Sequence, residues 1–122
     1  MIDGGRPTIY GDGENSRDFS YVDNVVDANF RACTAAEAAG KVINVATGQQ
    51  QTLNQILAAL NAIIGMNVEP VYTSPRMGDI RHSLADTTLA TEVLGYRASV
   101  SFEEGLRRTV EWYRHHPVAT RR

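Results

Sequence analysis

The chain has 122 residues, of which 43% are apolar and 21% charged, the balance of one globular unit and not of a fibrous or low-complexity chain. Its formal charge of −2, with no Lys/Arg run before the carboxy terminus, argues against a general nucleic-acid surface, which needs many phosphate contacts. No apolar run approaches a membrane span and the start lacks the basic and apolar segments of a leader, so a cytoplasmic setting is expected.

Thr8-Ile-Tyr10 and Phe19-Ser-Tyr-Val22 read as two short strands around the turn-forming cluster Gly11-Asp-Gly-Glu-Asn-Ser16. Asp23 is suited to cap a helix over 24–37 whose broad apolar side carries Val25, Val26, Ala28, Phe30, Ala32 and Cys33, and Gly40 is placed to stop it. The single cysteine, Cys33, has no partner for a bridge, and its helical context predicts a partly buried packing thiol. Lys41-Val-Ile-Asn-Val-Ala46 is short and β-branched, the pattern of a strand buried on both faces in a parallel sheet.

Thr52-Leu-Asn-Gln55 has capping-box spacing, and Leu53, Ile56, Leu57, Leu60, Ile63 and Ile64 then recur at helical spacing up to Gly65. A strand over 68–72, a loop over 75–78 and a helix over 87–94 ended by Gly95 follow. Ser101-Phe-Glu-Glu104 is a second capping box, opening a helix that stops before Pro117, after which the tail is expected to fray. No internal repeat and no linker divides the chain, which is read as a single unit.

Most forms of chemistry are excluded by residue type. His82, His115 and His116 include no pair at the i, i+4 spacing useful for a metal, and the last two can simply complement a helix dipole. Gly11-Asp-Gly13 is followed by Ser16 where a dinucleotide fingerprint has its third glycine, so a turn is the reading there. Of the twelve basic residues, eleven are Arg, whose planar fork suits phosphate and carboxylate. Arg17, Arg76, Asp79 and Arg81 are dispersed over loops and strand ends, where two guanidinium groups could take a diphosphate and Asp79 a ribose hydroxyl. The alternative is that Arg17 pairs with Asp18 or Glu14, and Arg76 and Arg81 with Asp79, in surface contacts of little consequence.

Taken together, Pro7-Thr-Ile-Tyr-Gly-Asp-Gly-Glu14, Ser16-Arg-Asp-Phe-Ser-Tyr-Val-Asp23, Ile43-Asn-Val-Ala-Thr-Gly48, Pro75-Arg-Met-Gly-Asp-Ile-Arg81, Ser83-Leu-Ala-Asp86 and Ser101-Phe-Glu-Glu-Gly-Leu106 resemble, in order and spacing, the NAD-dependent epimerase/dehydratase family of extended short-chain dehydrogenases. The likeness runs from the first strand to Tyr113 and is nearest to the UDP-sugar 4-epimerases. It implies an α/β fold, the carboxy-terminal part of a Rossmann-type enzyme with mixed short strands and about four helices, in which 23–48 would complete the edge of the cofactor-binding sheet. It also implies that Arg17 and Arg76 contact a nucleotide-sugar diphosphate, that Asp79 contacts ribose, that Tyr10 lies against the base, and that Arg81 is a further candidate. Tyr21 and Asp23 are read as structural.

Complete members of that family carry a Gly-x-x-Gly-x-x-Gly unit for NAD and a Tyr-x-x-x-Lys pair. Neither is found here: Lys41 is the only lysine, and Glu37 stands four positions before it. Because hydride chemistry belongs to the cofactor, no catalytic residue is assigned, no NAD is expected on this chain alone, and the start is read as an amino-terminal truncation. The expectation is the nucleotide-sugar-binding portion of an epimerase, taking a UDP-sugar. The alternatives are a standalone binding module or an oligomerising fragment without a ligand site. An apolar helix and strand without their sheet predict a homo-oligomer.

Overall fold

Two parallel strands set the frame of one half of the fold. In the computed structural model, which describes residues 1–2 and 4–116, β1 (Thr8–Tyr10) pairs with β4 (Val71–Thr73) in the register Thr8 to Val71, Ile9 to Tyr72 and Tyr10 to Thr73. The pairing is lengthened at both ends, by Val71 N–H donating to Pro7 O at 2.8 Å and Gly11 N–H to Thr73 O at 2.9 Å. The Arg6 side chain donates to the carbonyls of Glu69 and Pro70, each at 2.9 Å. Because the strands are parallel, both carboxyl ends, and the loops that leave them, lie on the same side. That is the side on which open α/β sheets bind ligands.

A second, antiparallel pair joins β2 (Ser16–Arg17) to β3 (Gln51–Thr52). The other edge of β2 meets the segment at 81–83, with Ser16 N–H donating to Arg81 O at 2.9 Å and Ser83 N–H to Ser16 O at 3.1 Å. Thr52 then caps α2 (Leu53–Ile64) through the reciprocal box with Gln55, and Gly65 ends it at φ 76°, a conformation that a residue with a Cβ rarely takes. All six of its periodic apolar residues are half-buried and none fully. The helix lies against α4 (Phe102–His115). There Gly105 is close-packed: a Cβ would stand 2.7 Å from that of Tyr21.

The core lies elsewhere, between α1 (Val22–Thr34), α3 (Thr88–Leu94) and the extended segments 41–46 and 96–100. Ala28, Ala90, Leu94 and Tyr96 are buried, with Ile43, Val45 and Ala98 packed around them. Asn24 is wholly buried here. Its Oδ1 accepts from the N–H groups of Ser99 and Val100, both at 3.0 Å, and its Nδ2 donates to Val100 O at 2.8 Å. One amide side chain thus replaces the strand partner that residues 99–100 would otherwise need.

Among the described residues, four α-helices with one parallel and one antiparallel strand pair give the expected mixed α/β fold, but several local expectations are corrected. Residues 19–22 are not a strand: Tyr21, extended at φ −72° and ψ 146°, is itself the N-cap, and α1 begins at Val22. Asp23 therefore lies in the first turn, paired with Arg108 at 3.3 Å, and is not the cap. The helix also stops earlier, at Thr34, with a separate 3-10 turn Ala36–Ala38 before Gly40.

Its buried stripe is Asn24 and Ala28, while Val25, Val26, Phe30, Ala32 and Cys33 are exposed, Phe30 at 72%. Segment 41–46 forms no ladder among the described residues and is buried on one side only, with Ile43, Val45 and Ala46 inward and Val42 at 91% exposure. The strand expected at 68–72 lies at Val71–Thr73.

Ser101 accepts from Glu104 N–H, but Glu104 turns to Arg107 and Arg108, so the second capping box is half made. The fraying expected after Pro117 falls outside the described residues. Among the described residues, no helix is long and apolar enough to cross a membrane.

Candidate functional site

Beyond the carboxyl ends of β1 and β4 lies an open groove of about 460 Å³ whose lining includes Tyr10, Asp12, Asn15, Tyr72, Pro75 and Arg81. Strand β1 delivers Tyr10, and the turn at 11–16 delivers Asp12 and Asn15. Arg17 follows on β2. The loop after β4 brings Arg76 and Asp79, and the bridge between Ser16 and His82 holds Arg81 alongside. Side chains up to 69 positions apart in the sequence are thereby brought into one hydrogen-bonded group.

Within it, Arg17 Nη2 donates to Asp79 Oδ1 at 2.7 Å, while its Nη1 is held by the Ser16 carbonyl at 2.8 Å. Asn15 Nδ2 donates to the other Asp79 oxygen at 2.7 Å, and Asn15 Oδ1 accepts from Arg81 at 3.3 Å. Arg81 meets Asp12 in a two-pronged pair, 2.8 Å on each side. This fork, helped by the Glu14 N–H, holds the Asp12 carboxyl well below its usual range, at about 2, and raises Arg81 in turn. Arg76 has no carboxylate partner in the site; its guanidinium lies over the Tyr10 ring, 3.8 Å from the centroid.

Of the five residues named from the sequence, Tyr10 and Arg81 line this groove, Arg76 lies over Tyr10, and Asp79 and Arg17 join it at one remove through Asn15, but not in the surface pairings that their spacing allowed. Arg17 pairs with Asp79, not with Asp18 or Glu14, and Arg81 pairs with Asp12, not with Asp79. Asp18 is engaged elsewhere, accepting from Thr47 N–H at 2.9 Å, Thr47 Oγ1 at 2.5 Å and Gly48 N–H at 2.8 Å. That clamp ties the residue after Arg17 to the loop before β3.

Asp12 and Asn15 were not singled out from the sequence. Both fall in a cluster whose composition signals a turn and nothing more. His82, whose Nδ1 lies 2.8 Å from the buried Ser16 hydroxyl, is likewise part of the scaffold beneath Arg17 and Arg81.

The arrangement suits a polar, anionic ligand with a planar group. Two arginines stand beside an aromatic face, and a carboxylate lies within reach of hydroxyl donors. A dinucleotide pyrophosphate is a poor fit to the glycine turn, because Gly11-Asp-Gly13 leads into β2 and not into a helix N-terminus. No step through a nicotinamide is therefore assigned to these residues.

The fold is that of the Rossmann-type epimerases, matched over their carboxy-terminal portion. The sequence matches the GDP-mannose 4,6 dehydratase family over residues 2–109, and the chain belongs to that family of NAD-dependent epimerases and dehydratases. It is 42% identical over 111 residues to a UDP-glucose 4-epimerase of Mycolicibacterium smegmatis, a match spanning 90% of this chain and 35% of the relative.

Among solved structures, it is similar to the UDP-glucose 4-epimerase of Thermotoga maritima with UDP-glucose, at 46% identity and a TM-score of 0.90, over 95% of this chain and 37% of that one. It is also similar to the UDP-glucuronic acid 4-epimerase of Bacillus cereus in complex with UDP-glucuronic acid and NAD, at 26% identity and a TM-score of 0.89, again over 95% and 37%. The chain thus spans about a third of the length of the relatives it matches.

Proposed function

We propose that this chain is the nucleotide-sugar-binding portion of an NAD-dependent UDP-sugar 4-epimerase and does not turn over substrate by itself. The observation that carries the reading is the group gathered around the groove at the carboxyl ends of β1 and β4, where Tyr10 lines the groove with Arg76 over its ring and Asp79 and Arg17 are joined to the lining residue Asn15. Its likeness to an epimerase solved with UDP-glucose supports the choice of ligand.

In this reading Arg17 and Arg76 take the diphosphate, Asp79 accepts from a ribose hydroxyl, Tyr10 stacks on the base and Arg81 closes the edge. The contacts within the group are replaceable ones. Arg17 and Asp79 are about one-third exposed (32% and 35% of their side-chain surface), and such pairs add little stability. Arg17 can exchange Asp79 for phosphate, which frees Asp79 for ribose, and Arg76 can leave Tyr10 to the base. The exposed apolar residues Val26, Phe30 and Val42 support self-association through α1 and segment 41–46, to be checked by sedimentation.

The test of the ligand is calorimetric titration with UDP-glucose. Saturable binding is expected, with Arg17→Ala and Arg76→Ala each weakening it by about 1.5–3 kcal/mol, the range for a hydrogen bond to a charged group. Equal affinity in both variants would remove the diphosphate assignment.

A further inference from the structure

The first turn of α2 is bonded to the turn at 11–16, two of whose side chains, Asp12 and Asn15, line the groove. Two of the N–H groups that a helix leaves free at its start are taken by the turn at 11–16: Leu53 N–H donates to Asn15 O at 3.2 Å, and Asn54 N–H to Gly13 O at 3.1 Å. The third, of Gln55, is satisfied by Thr52. The Asn54 side chain adds three contacts. Its Nδ2 donates to Asp12 O at 3.0 Å and to Glu14 Oε1 at 2.5 Å, and its Oδ1 accepts from the Tyr72 hydroxyl at 2.9 Å.

Contact is so close at Gly13, which sits at φ 79°, that a Cβ there would stand 2.1 Å from Asn54 Oδ1. Asn54 thus touches the three residues 12–14 and is itself oriented by β4. Asp12 and Asn15, the two side chains this turn presents to the groove, hold Arg81 and Asp79, and Asp79 holds Arg17.

Resting on the nucleotide-sugar reading, we infer that Asn54 is a positioning residue: it fixes the turn at 11–16, and through Asp12 and Asn15 it sets where Arg81, Asp79 and Arg17 meet the ligand. Asn54 does not itself line the groove. Its influence passes through the backbone of the turn, and its amide is needed as both donor and acceptor. A carboxylate in its place would keep the acceptor for Tyr72 but lose the donor and face Glu14 with like charge.

The test follows two readouts on wild type, Asn54→Ala, Asn54→Asp and Tyr72→Phe: the Asp12 carboxyl titration by NMR, and the affinity for UDP by calorimetry. In wild type, Asp12 should titrate at about 2. In both Asn54 variants it should climb towards its ordinary value of 3.8, because the fork to Arg81 loosens, and UDP should bind about tenfold more weakly. Tyr72→Phe leaves helix and turn sequences intact and should move both readouts the same way by less.

Asp12 unmoved in the folded variants, or moved with unchanged UDP affinity, would overturn the inference. Failure of wild type to bind UDP would instead sink the nucleotide reading. The Asp12 titration would still decide whether Asn54 holds the turn.

Discussion

Around Asn24 and around Arg17 the chain solves the same problem, polar groups gathered from distant segments, in opposite ways. Asn24 is fully buried, with its donor and its acceptor both engaged by residues 99–100. The Arg17, Asp79, Asn15, Arg81 and Asp12 group is half-exposed and satisfied by its own members. A buried amide cannot fall back on water when a partner is lost, whereas exposed ions can. The first arrangement therefore holds the fold together, and the second can be rearranged by a ligand at little cost in stability.

The sharpest way to break this contrast is Asn24→Leu, which leaves the N–H and carbonyl of buried Val100 without a partner in the core and removes the acceptor of the Ser99 N–H. A loss of about 3 kcal/mol is expected, since each orphaned buried group costs roughly 1–3 kcal/mol and the packing relaxes in part. Denaturant unfolding measures it. A loss below about 1 kcal/mol would mean that residues 99–100 find other partners and that the buried region is no more committed than the exposed one.

Tyr96→Phe probes the same core more gently. The Tyr96 hydroxyl donates to Ala46 O at 3.2 Å, a single neutral bond, so about 1 kcal/mol should be lost. Burial, with Asp27 and Asp18 nearby, raises the Tyr96 pKa. Its folded state therefore keeps the proton more tightly than the unfolded chain. Wild type should be unaffected by this group below pH 10 and lose stability as the pH rises beyond it, while the phenylalanine variant should lack that alkaline decline.

How much of each region was legible follows from how local its signals are. Helix α2 was readable from end to end because the Thr52 box, the apolar spacing and Gly65 lie within one stretch. Gly95, at φ 60°, likewise marks the end of α3. Segment 41–46 shows the limit: β-branched residues fix an extended backbone, but a ladder requires a neighbour, and burial on one side or both depends on what packs there.

Asn24 gave no signal, since a polar residue in the first turns of a helix ordinarily faces water. In the site, residue chemistry and family likeness named Arg17, Arg76, Asp79 and Arg81. Their pairings were not legible, because Asp12 reaches Arg81 across 69 positions. Asn15 and Asn54 went unnoticed for the same reason.

For the exposed group, Arg17→Ala should change thermal stability by less than about 1 kcal/mol, the ordinary worth of an exposed pair. That is smaller than either core substitution. A larger loss would show that the Asp79 contact is part of the framework and is not a replaceable partner awaiting ligand.

Acid supplies the finest comparison. Asp12 is held at about 2 by Arg81, and Glu104 at about 2 by Arg107 and Arg108. Both are depressed, so each contributes stability that is present above its unfolded value and lost as the pH falls towards 2. Both are solvent-exposed, so the effect should be small and should fade at about 1 M salt, where charges are screened within roughly 3 Å. The Asn24 bonds contain no titratable group and should not respond. Thermal midpoints between pH 5 and 2, for wild type beside Asp12→Asn and Glu104→Gln, separate the two regions. A shallower acid decline in each variant assigns it to the exposed pairs, and an unchanged decline in both would place the acid-sensitive groups elsewhere.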